Sequence, residues 1–329
     1  MIPAASSSAY DAAREHSAFI DRSDRGRLVV SGADRASYLQ GLFTNDIVAL
    51  KAGQGCYAAY LTAQGRMIAD LHVYNTGDVI LLTMAGRVKD TVLANLDRFV
   101  FSEDVQLGDV TDTFAQIAIV GPDASRVVAR SVGGASAEVV EALPEHGSVR
   151  AGALVARVTD TGEPGFDVFV ERADAAAFLT AVTDAGAVPL DDVSAEAIRI
   201  EAGVPRFGRD MDEETIPIEA GIEGRAISFT KGCYVGQEII IRVMHRGHGR
   251  VARKLVGLLL DGGGPPASGA AIRAGDREIG VVTSGSWSPA LGRPIALGYV
   301  HRDFVEPGTP VSVDGAAAAV AALPFARAR

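Results

Sequence analysis

Cys233 stands in the stretch TKGCYVGQE, with Lys231 two residues before it and glycines at 232 and 236. An ammonium nearby and the backbone N–H groups of a Gly-flanked turn both favour thiolate over thiol, so the setting suits a reactive sulfur. The bland alternative is a small buried hydrophobe, and that is the reading for Cys56 in the apolar-rich GCYAAYL. Two carboxylates also stand where chemistry is possible. Asp70 in GRMIADLHVY lies on a strand just after a turn. Glu163 in TGEPGFDVFVE lies on a turn between two strands, where a carboxylate can accept paired N–H bonds from a heterocycle. Neither forms an acid–base pair by spacing alone.

The cationic residues cluster. Arg242, Arg246, Arg250, Arg253 and Lys254 fall in 242–254 with no acid among them, joined by His245 and His248. The preceding 210–223 holds Asp210, Asp212, Glu213, Glu214, Glu219 and Glu223. Such a run is either a solvated surface or the edge of a cleft suited to a carboxylated or phosphorylated ligand. No resident metal is expected. An iron–sulfur cluster usually takes four thiolates, and this chain has two remote cysteines; Cys233 with His245 and His248 is irregular as a zinc set. Neither a P-loop nor a G-x-G-x-x-G after a strand occurs, which argues against standard nucleotide binding.

These residues need a large scaffold. The 329-residue length implies two or three domains, and 48% apolar with 22% charged residues is ample for more than one core. The net charge of −10 argues against broad nucleic-acid binding. Two cysteines without a CxxC imply a reducing interior rather than a disulfide scaffold. The first residues lack the apolar run of a secretory signal, and stretches such as VILLTMA fall short of the roughly 18 residues of a membrane span. A cytoplasmic protein is expected, with no membrane partner.

RLVVSGADRASYLQGLF reads as a strand followed by a helix, and CYAAYLTAQGRMIADLHVY as two strands around Gln64-Gly65. DVILLTMA is a further strand, and GRVKDTVLANLDRFVF has helical spacing. FAQIAIVGPDASRVVARSV repeats strand, turn, helix; ALVARVTDTGEPGFDVFVE is a hairpin; two helices follow. After about residue 250 only short β-like runs divided by Gly and Pro remain, predicting a small all-β barrel or sandwich with a boundary near 249.

In LQGLFTNDIVAL, YLTAQGRMIADLHVY, VTDTGEPGFDVFV and IRIEAGVPRFGRDMDEETIPIEAG the chain resembles the aminomethyltransferase (glycine-cleavage T-protein) superfamily. KGCYVGQEIIIRVMHRGHGR resembles one branch, the folate-binding YgfZ-type proteins, which includes maturation factors for iron–sulfur enzymes. The resemblance implies an α+β fold in which three domains ring a central folate pocket. Residues 1–48 with 112–195 form the first α+β domain, 49–111 with 196–248 the interleaved second, and 249–329 a C-terminal β-barrel. It also implies tetrahydrofolate, or a reduced derivative, as cofactor. By position Glu163 resembles the carboxylate that reads the pterin edge, Arg199 its basic partner, and Asp70 the catalytic aspartate.

One departure stands out. A family GGIxDD stretch reads GRMIAD here, with Ala69 in place of one acid. The favoured reading is therefore a folate-binding accessory protein supporting assembly or repair of iron–sulfur clusters in client enzymes. Cys233 is its reactive thiol, Lys231 its neighbour, and Arg242, Arg246 and Arg250 suit the polyanionic folate tail. The alternative is a folate-dependent aminomethyltransferase or related one-carbon enzyme.

Overall fold

The computed structural model describes residues 7–245 and 250–325. In chain order the helices are α1 (Ser7–Glu15), α2 (Arg35–Gln40), α3 (Lys89–Asp97), α4 (Ala124–Val132), α5 (Ala137–Glu141), α6 (Ala175–Asp184), α7 (Asp192–Glu201), α8 (Glu223–Ala226) and α9 (Gln237–His245). The strands of the first two-thirds are β1 (Ala18–Asp21), β2 (Gly26–Ser31), β3 (Gln54–Leu61), β4 (Met67–Asn75), β5 (Ile80–Met84), β6 (Gln106–Asp109), β7 (Phe114–Val120), β8 (Ser148–Arg150), β9 (Leu154–Arg157), β10 (Gly165–Glu171) and β11 (Val188–Pro189). The remainder is β12 (Arg253–Leu260), β13 (Ala271–Ala274), β14 (Arg277–Ser288), β15 (Arg293–His301), β16 (Pro310–Val313) and β17 (Ala316–Ala321).

These make a mixed α+β body and a closed barrel. A six-stranded sheet runs β11-β1-β7-β10-β9-β8 and a five-stranded sheet β3-β4-β5-β2-β6. The short Gly- and Pro-divided strands of the C-terminal part close as β12-β15-β14-β13-β16-β17. Each open sheet buries two faces, as its near-continuous apolar strands require. Ile117, Val155 and Val168 pack beneath α4 and α6. Leu28, Val73 and Leu82 pack in a larger core that also takes Phe207, Ile218, Ile222 and Ile240 from the chain after α7. The remaining faces meet each other: Tyr74 and Leu81 of one sheet pack on Leu154, Ala156 and Phe169 of the other, with the Tyr74 and Phe169 rings edge to face at 6.2 Å.

Residues 26–47 depart from the expected division. They belong to the expected first α+β domain, but β2 pairs with β5 and β6 of the five-stranded sheet, and Tyr38, Leu39, Phe43 and Ile47 pack in that sheet's core. The chain therefore passes between sheets at residues 22–25. Leu28 and Val30 are the reason, since both are fully buried in the core of the five-stranded sheet.

Helix α7 joins the parts. Ala197 and Ile198 pack with α1, while Ile200 packs on Leu255, Leu297 and Tyr299 of the barrel. Between those apolar positions lie buried charges. Arg199 donates to both oxygens of Glu196, to Asp210 Oδ2 (2.7 Å), to the Val204 carbonyl and to Ser284 Oγ of β14 (3.0 Å). Glu201 accepts from Tyr10 Oη (2.7 Å), Arg14 and Ser288 Oγ (2.5 Å), binding α1 and β14 to one carboxylate. Removing one partner of such a lattice leaves a buried charge uncompensated. Arg199→Ala is thus expected to cost about 3–5 kcal/mol in urea unfolding, because Asp210 and Glu196 lose their cation. An effect below about 1 kcal/mol, the range of exposed pairs, contradicts this account.

Candidate functional site

Where the crossover between the sheets, the β3–β4 hairpin, α7 and the loop 204–209 converge, a cavity of about 570 Å3 opens. Strand register builds one wall. Tyr57 lies opposite His72, and Asp70 is two residues before His72 on β4, so alternation places all three side chains on one face. Tyr57 Oη donates to Asp70 Oδ2 at 2.9 Å, and the Arg225 guanidinium lies 5.0 Å from the Tyr57 ring centre. Burial, reinforced by Asp70, raises the Tyr57 phenol well above its ordinary value. It therefore stays a donor to the carboxylate.

His72 is buried and its Nε2 lies 3.1 Å from Asp160 Oδ2. Burial alone would raise Asp160, but His72, Arg22 and Arg25 hold it well below the usual carboxylate range. Arg22 lies between Asp160 (3.6 Å) and Asp167 (3.3 Å). Arg25 lies within electrostatic reach of Asp160, Asp167 and Asp70, yet its buried Nε has no hydrogen-bond partner among the described residues. Arg206 joins this group at the mouth, beside Arg22, Arg25 and Arg199. Among its lining carboxylates the cavity thus offers Asp70, hydrogen-bonded by a neutral hydroxyl, and Asp160, already neutralised, together with a free donor on Arg25. That combination suits a ligand with both a hydrogen-bonding ring and anionic groups.

Of the residues singled out in the sequence, Asp70 lines this cavity directly. Arg199 reaches its wall, but all its N–H groups serve the lattice around α7. Glu163 is 2% exposed and does not line the cavity. Arg14 from α1 caps its carboxylate, which burial raises against that cation. Asp160 and Thr161, earlier on the same turn, reach the cavity in its place. Arg242 and Arg250 are exposed and stand apart from the cavity lining, and Arg246 lies outside the described residues.

Cys233 is exposed and also outside the cavity lining. Lys231 turns away from an activating role. The residue is 9% exposed, and its ammonium donates to the carbonyls of Gln40 (2.5 Å), Phe43 (2.6 Å) and Asn45 (2.9 Å). Burial pushes it down to about 8, opposed by Asp46 and Cys56, so it remains protonated at neutral pH. The thiol in its field is Cys56, which burial pushes up to about 12. The TKGCYVGQE stretch has a mechanical part as well. Gly236 has φ +85°, and a Cβ there would come within 2.5 Å of the Thr62 carbonyl. A Cβ on Gly65 would meet Ile239 of α9 at 2.9 Å. The motif therefore grips the turn that leads into Asp70.

Tyr57, His72, Asp160, Arg22, Arg25, Arg206 and Arg225 were not singled out in the sequence. Two signals were present: the alternating DRSDRGR at 21–27, and His72 at the strand period from Asp70. Among the described residues no cluster of His, Cys, Asp and Glu fits a metal ion, and no helix is long and apolar enough to cross a membrane.

Residues 3–231 match the GCVT N-terminal domain, and 253–326 match the glycine cleavage T-protein C-terminal barrel domain. The chain is 35% identical over 294 residues to an aminomethyltransferase of Rubrobacter xylanophilus, covering 88% of this chain and 78% of that one. It is 34% identical over 331 residues to an aminomethyltransferase of Saccharopolyspora erythraea, covering 97% and 89%. In fold it superposes on the crystal structure of the glycine cleavage system aminomethyltransferase T from Bartonella henselae with a TM-score of 0.90, at 24% identity, covering 100% of this chain and 92% of that one.

Two variants check the site's electrostatics. Lys231→Met leaves the buried Phe43 carbonyl and the half-buried Gln40 and Asn45 carbonyls without this donor and is expected to cost about 1–3 kcal/mol of stability. The alkylation rate of Cys233 should change by less than about twofold, because the ammonium does not serve that thiol. A large fall in rate restores Lys231 as its activator. His146 lies 5.2 Å from His72, ring centre to ring centre, and burial lowers it to about 3. Its folded value is below the unfolded one, so the unfolded chain binds the extra proton and stability falls as pH drops below about 6.5. By pH 5 the loss is about 2 kcal/mol, and His146→Gln should remove that slope in pH-dependent unfolding.

Proposed function

This chain belongs to the glycine-cleavage T-protein family, and from that premise we propose that it binds tetrahydrofolate in the central cavity and handles a one-carbon unit there, as a folate-dependent aminomethyltransferase or a related one-carbon-transfer enzyme. The observation that carries the reading is Asp70 on the cavity wall, held by Tyr57 Oη at 2.9 Å and within electrostatic reach of Arg25, whose Nε has no partner among the described residues. A cavity of about 570 Å3 lies within the usual range for a cofactor-sized ligand. The free Nε of Arg25, with Arg22 and Arg206 beside it in the lining, fits a ligand that brings carboxylates.

In this reading a bound reduced folate supplies the nitrogen that accepts the one-carbon unit. Arg22, Arg25 and Arg206 hold its anionic groups, and Arg225 with Tyr57 forms a flat wall for its ring. Asp70 orients an N–H or takes a proton beside that ring. His72 and Asp160 keep the neighbouring wall charge-balanced, so that Asp70 is the carboxylate left to act. Glu163 and Arg199 shape the walls from behind rather than meeting the ligand.

A second reading rests on one observation, the exposure of Cys233 in KGCYVGQE. It makes the chain a YgfZ-type folate-binding protein whose thiol serves iron–sulfur client enzymes. One pair of experiments separates the two. Purified protein with an aminomethyl-loaded lipoyl carrier and tetrahydrofolate should form methylenetetrahydrofolate, with kcat falling on the order of 10²-fold in Asp70→Asn and unchanged in Cys233→Ala. Saturable tetrahydrofolate binding without turnover, together with loss of iron–sulfur enzyme activity in cells carrying Cys233→Ala, establishes the second reading instead. Absence of tetrahydrofolate binding in calorimetry overturns both.

A further inference from the structure

A second cavity, of about 500 Å3, shares no lining residue with the first. It lies between β2 and β5 of one sheet, β9 and β10 of the other, and helices α4 and α6. Its walls are apolar: Leu81, Leu154 and Phe169 belong to the core between the sheets, and Phe178 of α6 faces them across the opening. Four charged residues line it, Arg27, Arg150, Glu171 and Asp174. The last three are exposed, whereas Arg27 is 0% exposed.

Arg27 is the anomaly. One terminal nitrogen donates to the carbonyls of Ser23 (3.0 Å) and Thr111 (2.5 Å). Its Nε and the other terminal nitrogen have no partner among the described residues, and neither does Thr83 Oγ1 directly opposite on β5. Among the described residues no carboxylate forms an ion pair with it; Arg172 and Arg25 add like charge to its surroundings, and Asp24 and Asp109 offset part of it from beyond ion-pair distance. A buried cation with two free donors and no carboxylate in direct contact is costly unless an anion completes it. The cavity beside it is large enough to bring one.

We propose that this cavity binds a small amphipathic monocarboxylate, with the carboxylate on the free N–H groups of Arg27 and the apolar body along Leu154, Phe169 and Phe178. A single charge fits, because Arg27 is the one buried cation in the lining and the exposed Glu171 and Asp174 disfavour a dianion at the rim. An uncharged apolar ligand fills the walls but leaves the guanidinium unpaired. The site is separate from the cavity assigned to folate and does not depend on that assignment.

The test uses the full chain and a matched pair of probes, 4-phenylbutanoate and 4-phenylbutan-1-ol, in calorimetry. The acid should bind saturably at one site and roughly tenfold more tightly than the alcohol, the value of one charge-assisted hydrogen bond. Arg27→Met should erase that preference. Ala181→Trp, which places an indole in the opening from α6, should abolish binding of both probes while tetrahydrofolate binding persists; this variant decides the matter if Arg27→Met does not fold. Absence of acid binding, equal affinity for acid and alcohol, binding that survives Ala181→Trp, or displacement by tetrahydrofolate each overturns the proposal.

Discussion

The buried lattice on α7 is the constraint from which the rest follows. Arg199 ties Glu196 and Asp210 to Ser284 of the barrel, and Glu201 ties Tyr10 and Arg14 of α1 to Ser288 of the barrel. One short helix therefore fixes the N-terminal helix, the cavity wall at 204–209 and the barrel in a single geometry. Charges so placed contribute little net stability over apolar packing, but they tolerate few alternative arrangements. That intolerance suits a helix on which three parts of the molecule must agree.

The seam between the two open sheets is the second organising feature. Its apolar half, Tyr74 and Leu81 on Leu154 and Phe169, holds the sheets together. Its polar half is unusual in leaving Arg25 Nε, Arg27 Nε, His72 Nδ1, Tyr74 Oη, Thr83 Oγ1 and Gln116 Oε1 buried without partners among the described residues. Native interiors rarely tolerate this without a ligand or ordered water to answer it. Both cavities border this seam, one through Arg25 and His72, the other through Arg27. Unpartnered polar atoms and cavities thus fall along the same seam, with Arg25, His72 and Arg27 common to both.

The TKGCYVGQE stretch shows how a motif can be conspicuous for one reason and work for another. Its lysine closes the loop at 40–45 by donating to three carbonyls, and its second glycine lets the chain press against the turn before Asp70. The cysteine is left on the surface. The same residues that suggest an activated thiol in one dimension brace the carboxylate of a cavity wall in three.

Composition and alternation determined a good deal by themselves. The change after residue 250 to short strands divided by Gly and Pro becomes the closed barrel, and the strand period of MIADLHVY places Asp70 on a cavity wall. The motifs at 39–50, 60–74 and 198–221 point to the family that the domain matches show. Tertiary structure decided the charges. Glu163 meets Arg14 across 149 residues, and Lys231 meets the Gln40 carbonyl across 191. It also placed β2 in the five-stranded sheet and brought Arg22, Arg25 and Arg206 to one cavity. Burial periodicity is a local property, carried by each strand or helix alone, so it is legible along the chain. Which cation answers which carboxylate depends on how distant segments pack, and a guanidinium bound to its partner in the core is written in the sequence no differently from one left free for a ligand.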